Sequence, residues 1–156
     1  EQALAIKPDS YEVLVNWGIS LEKMAETKSG DESESLYQQA FDKYEQALAI
    51  KPDSYKALSS WSFLLFIFSK NKTIPESTEI IKKGLIKAKL AHKYSGDNYN
   101  LASCYAVIGC KLEALELLEA SLKNKEISTI RILENENWQD YLDDKSFKKL
   151  IEKYDM

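Results

Sequence analysis

The sequence predicts an all-α protein in which pairs of helices stack side by side as a solenoid. The eleven residues EQALAIKPDSY at positions 1–11 return unchanged at positions 45–55, so one structural unit is reused at a spacing of 44 residues. That spacing lies in the range of helical repeats. Apolar residues recur at helical intervals between the two copies, and only five Gly and three Pro interrupt the chain. These observations favour an ordered helical repeat protein.

The repeated segment predicts a helix end, a turn and a new helix start. Residues 45–50 carry apolar side chains at helical spacing. Pro52 ends that helix because it has no N–H to donate and disfavours helical backbone in the preceding residue. Asp53 or Ser54 then caps the next helix by accepting its free N–H groups. The first copy predicts the same helix end, with the apolar residues Ala3, Leu4 and Ile6.

Two apolar stripes between the copies predict the two helices of one unit. The first stripe consists of Leu14, Trp17, Gly18 and Leu21. The second consists of Ala40, Tyr44 and Ala47. We expect Gly18 to allow close helix approach, and both Trp17 and its counterpart Trp61 to be core residues that are costly to truncate. Neither helix buries its stripe alone, so the units must stack.

These residues resemble the tetratricopeptide repeat, whose pattern runs W-x2-L-G-x2-Y, then A-x3-F, an Ala and a Pro. In the unit at 11–54, the residues of the two apolar stripes and Pro52 stand at the positions of this pattern. The closest match is the segment 99–122, with Leu101, Ala102, Tyr105, Gly109, Ala114 and Leu118 in register. The resemblance implies a right-handed superhelical solenoid of antiparallel helix pairs.

The resemblance also implies a division into an array and a cap. The array spans residues 1–125, as a partial first repeat at 1–10 and repeats at 11–54, 55–94 and 95–125. Residues 126–156 lose the repeat register and are expected to form short capping helices, because the last repeat has no neighbour to cover its apolar side.

The unit at 11–54 is about ten residues longer than the usual 34-residue repeat. The extra length surrounds the polar stretch ETKSGDESES, where Gly30 is expected to end one helix and Asp31 or Ser33 to begin the next. We therefore expect longer helices instead of a loop. In the following unit, Pro75 suits the first turn of a helix near 75–93.

Composition argues against several classes of protein. The net charge is −4, and the 21 basic residues are interleaved with 25 acidic ones, which disfavours nucleic-acid binding. Cys104, Cys110 and the lone His92 have no zinc-site spacing, so no metal is expected. The longest apolar run, at 61–68, is far too short to span a membrane. No signal peptide is visible, which leaves the compartment open, with the cytoplasm favoured.

No catalytic constellation is visible either. The sequence has no Gly-rich phosphate loop and no carboxylates spaced as an acid and base pair. Asp143 and Asp144 are adjacent and read as a helix start. We expect no enzyme and no cofactor.

The resemblance implies a protein-interaction module, because in that family the first helix of each unit lines a concave groove. The candidate peptide-binding residues are Val15, Ile19, Lys56, Phe63, Phe66, Tyr99 and Ser103, with Asn16 and Asn100 beside them. Alternatively, the aliphatic and aromatic members pack neighbouring helices, and the two Asn stabilise their own turns. Since Lys56 is the only cation in this set, the sequence predicts an apolar or aromatic-anchored peptide and no binding of acidic tails.

A second reading is a structural scaffold. The opening EQALAIKP predicts the last turns of a helix whose partner is missing, so the truncated first repeat offers an edge for self-association. The partner is a protein or peptide in both readings, and its identity is not written in the sequence.

Overall fold

The computed structural model describes residues 10–70 and 72–155 and comprises two compact units, residues 1–94 and 95–156. The predictions for the partial repeat at 1–10, including Ala3, Leu4 and Ile6, fall outside the described residues apart from residue 10. Helices are the only regular elements within the described part, which confirms the all-α class. The long helices are α1 (Tyr11–Glu26), α2 (Gly30–Ile50), α3 (Tyr55–Ser69), α4 (Ile74–Ser95), α5 (Asn98–Val107) and α6 (Lys111–Lys123). The tail contributes α7 (Thr129–Leu133), a 3-10 helix (Glu136–Tyr141) and α8 (Lys145–Tyr154).

The core of the first unit forms where α1 packs on α2 and both meet α3. A Cβ atom on Gly18 would lie 2.6 Å from Cε1 of Tyr44, so the glycine lets the tyrosine ring sit directly on α1. This confirms the predicted close approach. The buried members of this cluster are Leu14, Val15, Leu21, Ala40, Tyr44, Ala47, Ala57 and Leu64.

Trp17 is not a core residue, and that prediction is wrong. Its side chain is 46% exposed, because α2 packs against the stripe that runs through Leu14, Gly18 and Leu21, and Trp17 lies at the edge of that contact. The Lys43 ammonium covers the ring at 4.1 Å from its centroid. Its counterpart Trp61 is half-buried, and neither matches the full burial of Trp138 in the tail.

The α3–α4 pair keeps the register of the α1–α2 pair, at an offset of 44 residues, but exchanges large and small side chains. In this pair the glycine lies on the second helix: a Cβ on Gly84 would lie 2.5 Å from Cε1 of Phe66. Phe66 replaces Glu22 of the first pair, and Ala88 replaces Tyr44. The predicted helix near 75–93 is confirmed as α4, which has Pro75 in its first turn.

The polar insertion is helical. Only residues 27–29 separate α1 from α2, and the Ser33 hydroxyl donates to the Ala25 carbonyl across the turn at 2.9 Å. Gly30 does not end α1 as expected; it is the first residue of α2 and has φ +60°, a left-handed conformation that suits glycine. The extra residues therefore lengthen helices, as predicted.

In the second unit the tail packs on α5 and α6. Trp138 stacks on Phe147 with ring centroids 5.7 Å apart, and the Tyr141 hydroxyl donates to the Ala106 carbonyl at 3.4 Å. Asp144 caps α8 by accepting from the Phe147 N–H at 3.1 Å. The tail thus shares one core with the helix pair before it, and the boundary between compact units lies after Tyr94.

Candidate functional site

The predicted groove residues divide into buried, half-buried and exposed groups. Val15, Phe66 and Ser103 are only 4%, 1% and 2% exposed, so they fill packing positions and offer no surface to a ligand in this structure. The half-buried members are Ile19, Phe63, Tyr99 and Asn100, and the exposed ones are Lys56 and Asn16. In the first unit, α1 carries Val15, Asn16 and Ile19, and α3 carries Lys56, Phe63 and Phe66. In the second unit, α5 carries Tyr99, Asn100 and Ser103.

Two of the half-buried residues are engaged within their own unit. The Asn100 side chain donates to Oδ2 of Asp97 at 2.5 Å, so it stabilises the turn that begins α5. The Tyr99 hydroxyl is turned into the core of the second unit, close to Ser103 and Trp138. Burial raises the pKa of Tyr99, and these two neighbours partly offset that rise. This part of α5 serves packing and turn geometry.

A pocket of about 230 Å³ lies between the two helices of the second pair. Trp61 and Leu65, one turn apart on α3, line one side of it. Lys83, Ile86 and Lys87, on one face of α4, line the other. Ile86 is 61% exposed, so this aliphatic side chain presents apolar surface beside the tryptophan.

The electrostatics of the pocket are cationic at the rim. The Lys87 ammonium lies 3.3 Å from the Trp61 ring centroid, a cation–π contact. Burial lowers the pKa of Lys87, and the nearby Glu45 carboxylate partly opposes that shift. Phe41 of α2 also contacts Trp61, with ring centroids 6.5 Å apart, so the indole is held between three helices. The site combines a fixed aromatic surface, two aliphatic side chains and two lysines.

The matching place in the first pair differs in the residues that decide ligand chemistry. At the offset of 44, Trp17 and Lys43 correspond to Trp61 and Lys87, and the cation–π contact is present in both pairs. Asp42, however, stands where Ile86 does, and Gln39 where Lys83 does. The second pair therefore offers apolar surface and an extra cation where the first offers an acid and an amide.

Sequence reasoning placed none of the five pocket residues in the candidate site, and it expected Trp61 in the core. It searched only the first helix of each unit and so counted Lys56 as the one groove cation, whereas Lys83 and Lys87 come from the second helix. A signal was present, because the spacing of 44 residues continues through α4 and aligns Lys43 with Lys87. Extending the repeat beyond the exact echo would have pointed to this helix.

The pocket suits a side chain better than a small molecule, since small-molecule sites usually measure about 300–1,000 Å³. Among residues 10–70 and 72–155, no group of three or more His, Cys, Asp or Glu side chains is arranged to hold a metal ion. Cys104 is buried and Cys110 is half-buried. Within the same residues no helix combines the length and apolarity needed to cross a membrane.

Comparison of the chain with protein-family models, with curated proteins and with solved structures finds no match. The tetratricopeptide resemblance therefore depends on the residues and their register. The paired helices of the structure agree with it at the level of the all-α class.

Proposed function

We propose that the chain is a non-catalytic protein-interaction module of the tetratricopeptide type, a right-handed solenoid that binds a short peptide or protein segment. The observation that carries this proposal is the pocket formed by Trp61, Leu65, Lys83, Ile86 and Lys87. An exposed aliphatic side chain beside a held tryptophan is typical of a recognition surface, where aromatic anchors supply most of the binding energy.

The ligand we propose carries one large apolar side chain next to an acidic group. The apolar side chain fills the space between Trp61 and Ile86, and the carboxylate lies near Lys83 and Lys87. Charge-assisted hydrogen bonds to ammonium groups offset the cost of removing a carboxylate from water. The two lysines thus change the ligand expected from the sequence, since acidic residues beside the anchor favour binding.

Fluorescence anisotropy tests the proposal with a labelled peptide that has one phenylalanine between aspartates. Ile86→Asp copies the acid at position 42, and Lys83→Gln copies the amide at position 39. We expect Ile86→Asp to abolish binding and Lys83→Gln to weaken it, with a smaller salt dependence. Leu112→Asp is the matched control, because Leu112 is also an exposed aliphatic residue on a helix, at 75% exposure, but lies in the second unit.

Two results count against this function. One is that Ile86→Asp binds the peptide with wild-type affinity, which would show that the pocket does not bind it. The other is that a peptide with asparagines in place of the aspartates binds equally well, which would show that the two lysines do not recognise an acidic group.

A further inference from the structure

The Lys87 side chain covers part of the aromatic surface in the pocket between α3 and α4. Lys87 and Trp61 both line this pocket, and the ammonium nitrogen lies 3.3 Å from the centroid of the indole ring. The two groups are in van der Waals contact at that distance, so nothing else fits between them. An apolar side chain of a ligand can therefore stack on this part of Trp61 only after the ammonium has moved.

The place over the ring is a costly one for a charged group. Lys87 is half-buried, and burial lowers its pKa because the ammonium loses contact with water. The pocket lining contains no acid that could offset this cost. Glu45 acts on Lys87 from outside the pocket, but among residues 10–70 and 72–155 it forms no ion pair with it. Within this part of the chain, the ammonium rests on the ring with no carboxylate in contact.

The first helix pair has the same contact with different neighbours. Lys43 lies 4.1 Å from the ring centroid of Trp17, and Asp42 stands at the place that Ile86 takes in the second pair. Movement of Lys43 would uncover ring surface beside an acid. Movement of Lys87 would instead join the uncovered ring to the apolar surface of Ile86, which is 61% exposed. Only the second lysine therefore controls access to a combined aromatic and aliphatic surface.

We propose that Lys87 makes the pocket specific for a ligand whose apolar side chain lies next to an acidic group, an inference that rests on the proposed peptide-binding function. The ligand carboxylate draws the ammonium off the Trp61 ring, because charge-assisted hydrogen bonds typically contribute more than a cation–π contact. The uncovered ring and Ile86 then hold the apolar side chain. A ligand without the acid has to displace the ammonium with no compensating bond, and it binds weakly.

Lys83 has a different part in this arrangement. It lies one helical turn before Lys87, lines the same pocket and is exposed. Its charge attracts the ligand carboxylate, but its ammonium does not cover the Trp61 ring, where Lys87 already lies. The two lysines should therefore respond differently to a ligand that lacks the acid.

Anisotropy measurements with two peptides test this difference. The peptides carry one phenylalanine, either between aspartates or between asparagines. Lys87→Gln should weaken binding of the aspartate peptide about tenfold, because a charged partner is lost, and strengthen binding of the asparagine peptide about 2- to 10-fold, because the ring is uncovered. The matched control Lys83→Gln should weaken the aspartate peptide and leave the asparagine peptide unchanged. Lys43→Gln, the same change over Trp17, should affect neither peptide.

NMR of the lysine ε-methylene groups measures the movement itself. In the free protein the Lys87 signal, identified by its loss in Lys87→Gln, should be shifted upfield by the ring current of Trp61. Saturation with the aspartate peptide should return this signal to the ordinary lysine position. The Lys43 signal, identified in the same way, should keep its shift from Trp17.

Two results overturn the role of Lys87. In one, Lys87→Gln weakens both peptides or changes neither; in the other, the Lys87 signal keeps its upfield shift in the complex. If Ile86→Asp still abolishes binding in these cases, the pocket binds the peptide and only the role of Lys87 is wrong. If neither peptide binds the wild type, the peptide-binding function fails and this inference fails with it.

Discussion

Trp17 and Trp138 are the same residue type in opposite surroundings, one in each compact unit. Trp138 is fully buried among Tyr141, Phe147 and the helices α5 and α6. Trp17 keeps 46% of its surface exposed, although it lies within a well-formed helix pair. The difference comes from the neighbouring segments: the second unit has a tail that covers its helix pair, whereas among residues 10–70 and 72–94 no such segment covers the Trp17 ring.

A repeat face is therefore stabilised by whatever segment packs against it, and the segment need not be another repeat. In the second unit that segment combines a short helix, a 3-10 helix and α8. Its aromatic residues reach the small side chains Ala102, Ala106 and Ala114, which leave room for large rings. In the first unit the rings of α2 play this part for α3.

Deletion of residues 126–156 gives the largest expected effect. It removes Ile132, Trp138, Tyr141, Phe147 and Ile151 from the core of the second unit, and at about 25 cal/mol per Å² of apolar surface the loss amounts to several kcal/mol. Hydrogen exchange should show α5 and α6 losing protection while α1 and α2 keep theirs. Unchanged protection of α5 would mean that the tail contributes little to this core.

Truncation of single tryptophans sharpens the same comparison. Trp138→Ala should lower the free energy of unfolding of the second unit by about 3–5 kcal/mol, because a large buried ring is lost. Trp17→Ala should cost the first unit about 1 kcal/mol or less, since much of that ring already contacts water. Hydrogen exchange measured separately for each unit supplies both values. Equal losses would contradict the difference in burial.

Gly18→Ala tests how closely α1 and α2 approach. The new methyl group would meet the Tyr44 ring at 2.6 Å, and such overpacking costs about 1–3 kcal/mol. In a Tyr44→Ala background the same substitution should cost little, because the clashing ring is gone. A double-mutant cycle in denaturant gives the coupling between the two positions. A coupling near zero would show that α2 moves away without loss.

The helices could be predicted from the sequence because local signals determine them. Pro52, Ser54 and Pro75 stand where the structure begins or ends a helix, and the stripe through Leu14, Gly18 and Leu21 is buried as expected. The position of Trp17 could not be predicted this way, because its burial depends on whether a helix covers the outer side of α1. Periodicity gives the angle of a residue around its helix and does not say which side has a neighbour.

The candidate site was predicted less well than the fold for a related reason. The groove residues were assigned by a rotation around the first helix of each unit, which does not report on packing. Phe66 therefore seemed available to a ligand, yet it fills the space over Gly84 on α4. To predict that large and small residues exchange places between the two pairs, one must know which side chains face each other.

The last prediction concerns Glu22 and the dependence of stability on pH. Its half-buried carboxyl lies at the α1–α2 contact and accepts a hydrogen bond from the Tyr44 hydroxyl at 3.2 Å. Burial raises its pKa from the ordinary 4.5 to about 7, Glu26 adds to the rise, and the Tyr44 hydrogen bond and Lys23 oppose it. At the matching position α3 carries Phe66, consistent with a surrounding that favours an uncharged group.

Because the folded pKa lies above the unfolded one, the folded chain keeps a proton that the unfolded chain releases. The stabilisation that the protonated Glu22 carboxyl contributes is complete below pH 4.5 and is lost as the pH rises through about 7. Allowing for solvent screening at a half-buried group, we expect a loss of about 1–2 kcal/mol over this range. Hydrogen exchange at several pH values can follow the urea denaturation of the first unit, and the wild type should show this decline. Glu26→Gln should show a slightly smaller decline, because Glu26 adds to the rise in the pKa of Glu22. Glu22→Gln should remove most of it, because an amide does not titrate. An undiminished decline in Glu22→Gln would assign the pH dependence to another group.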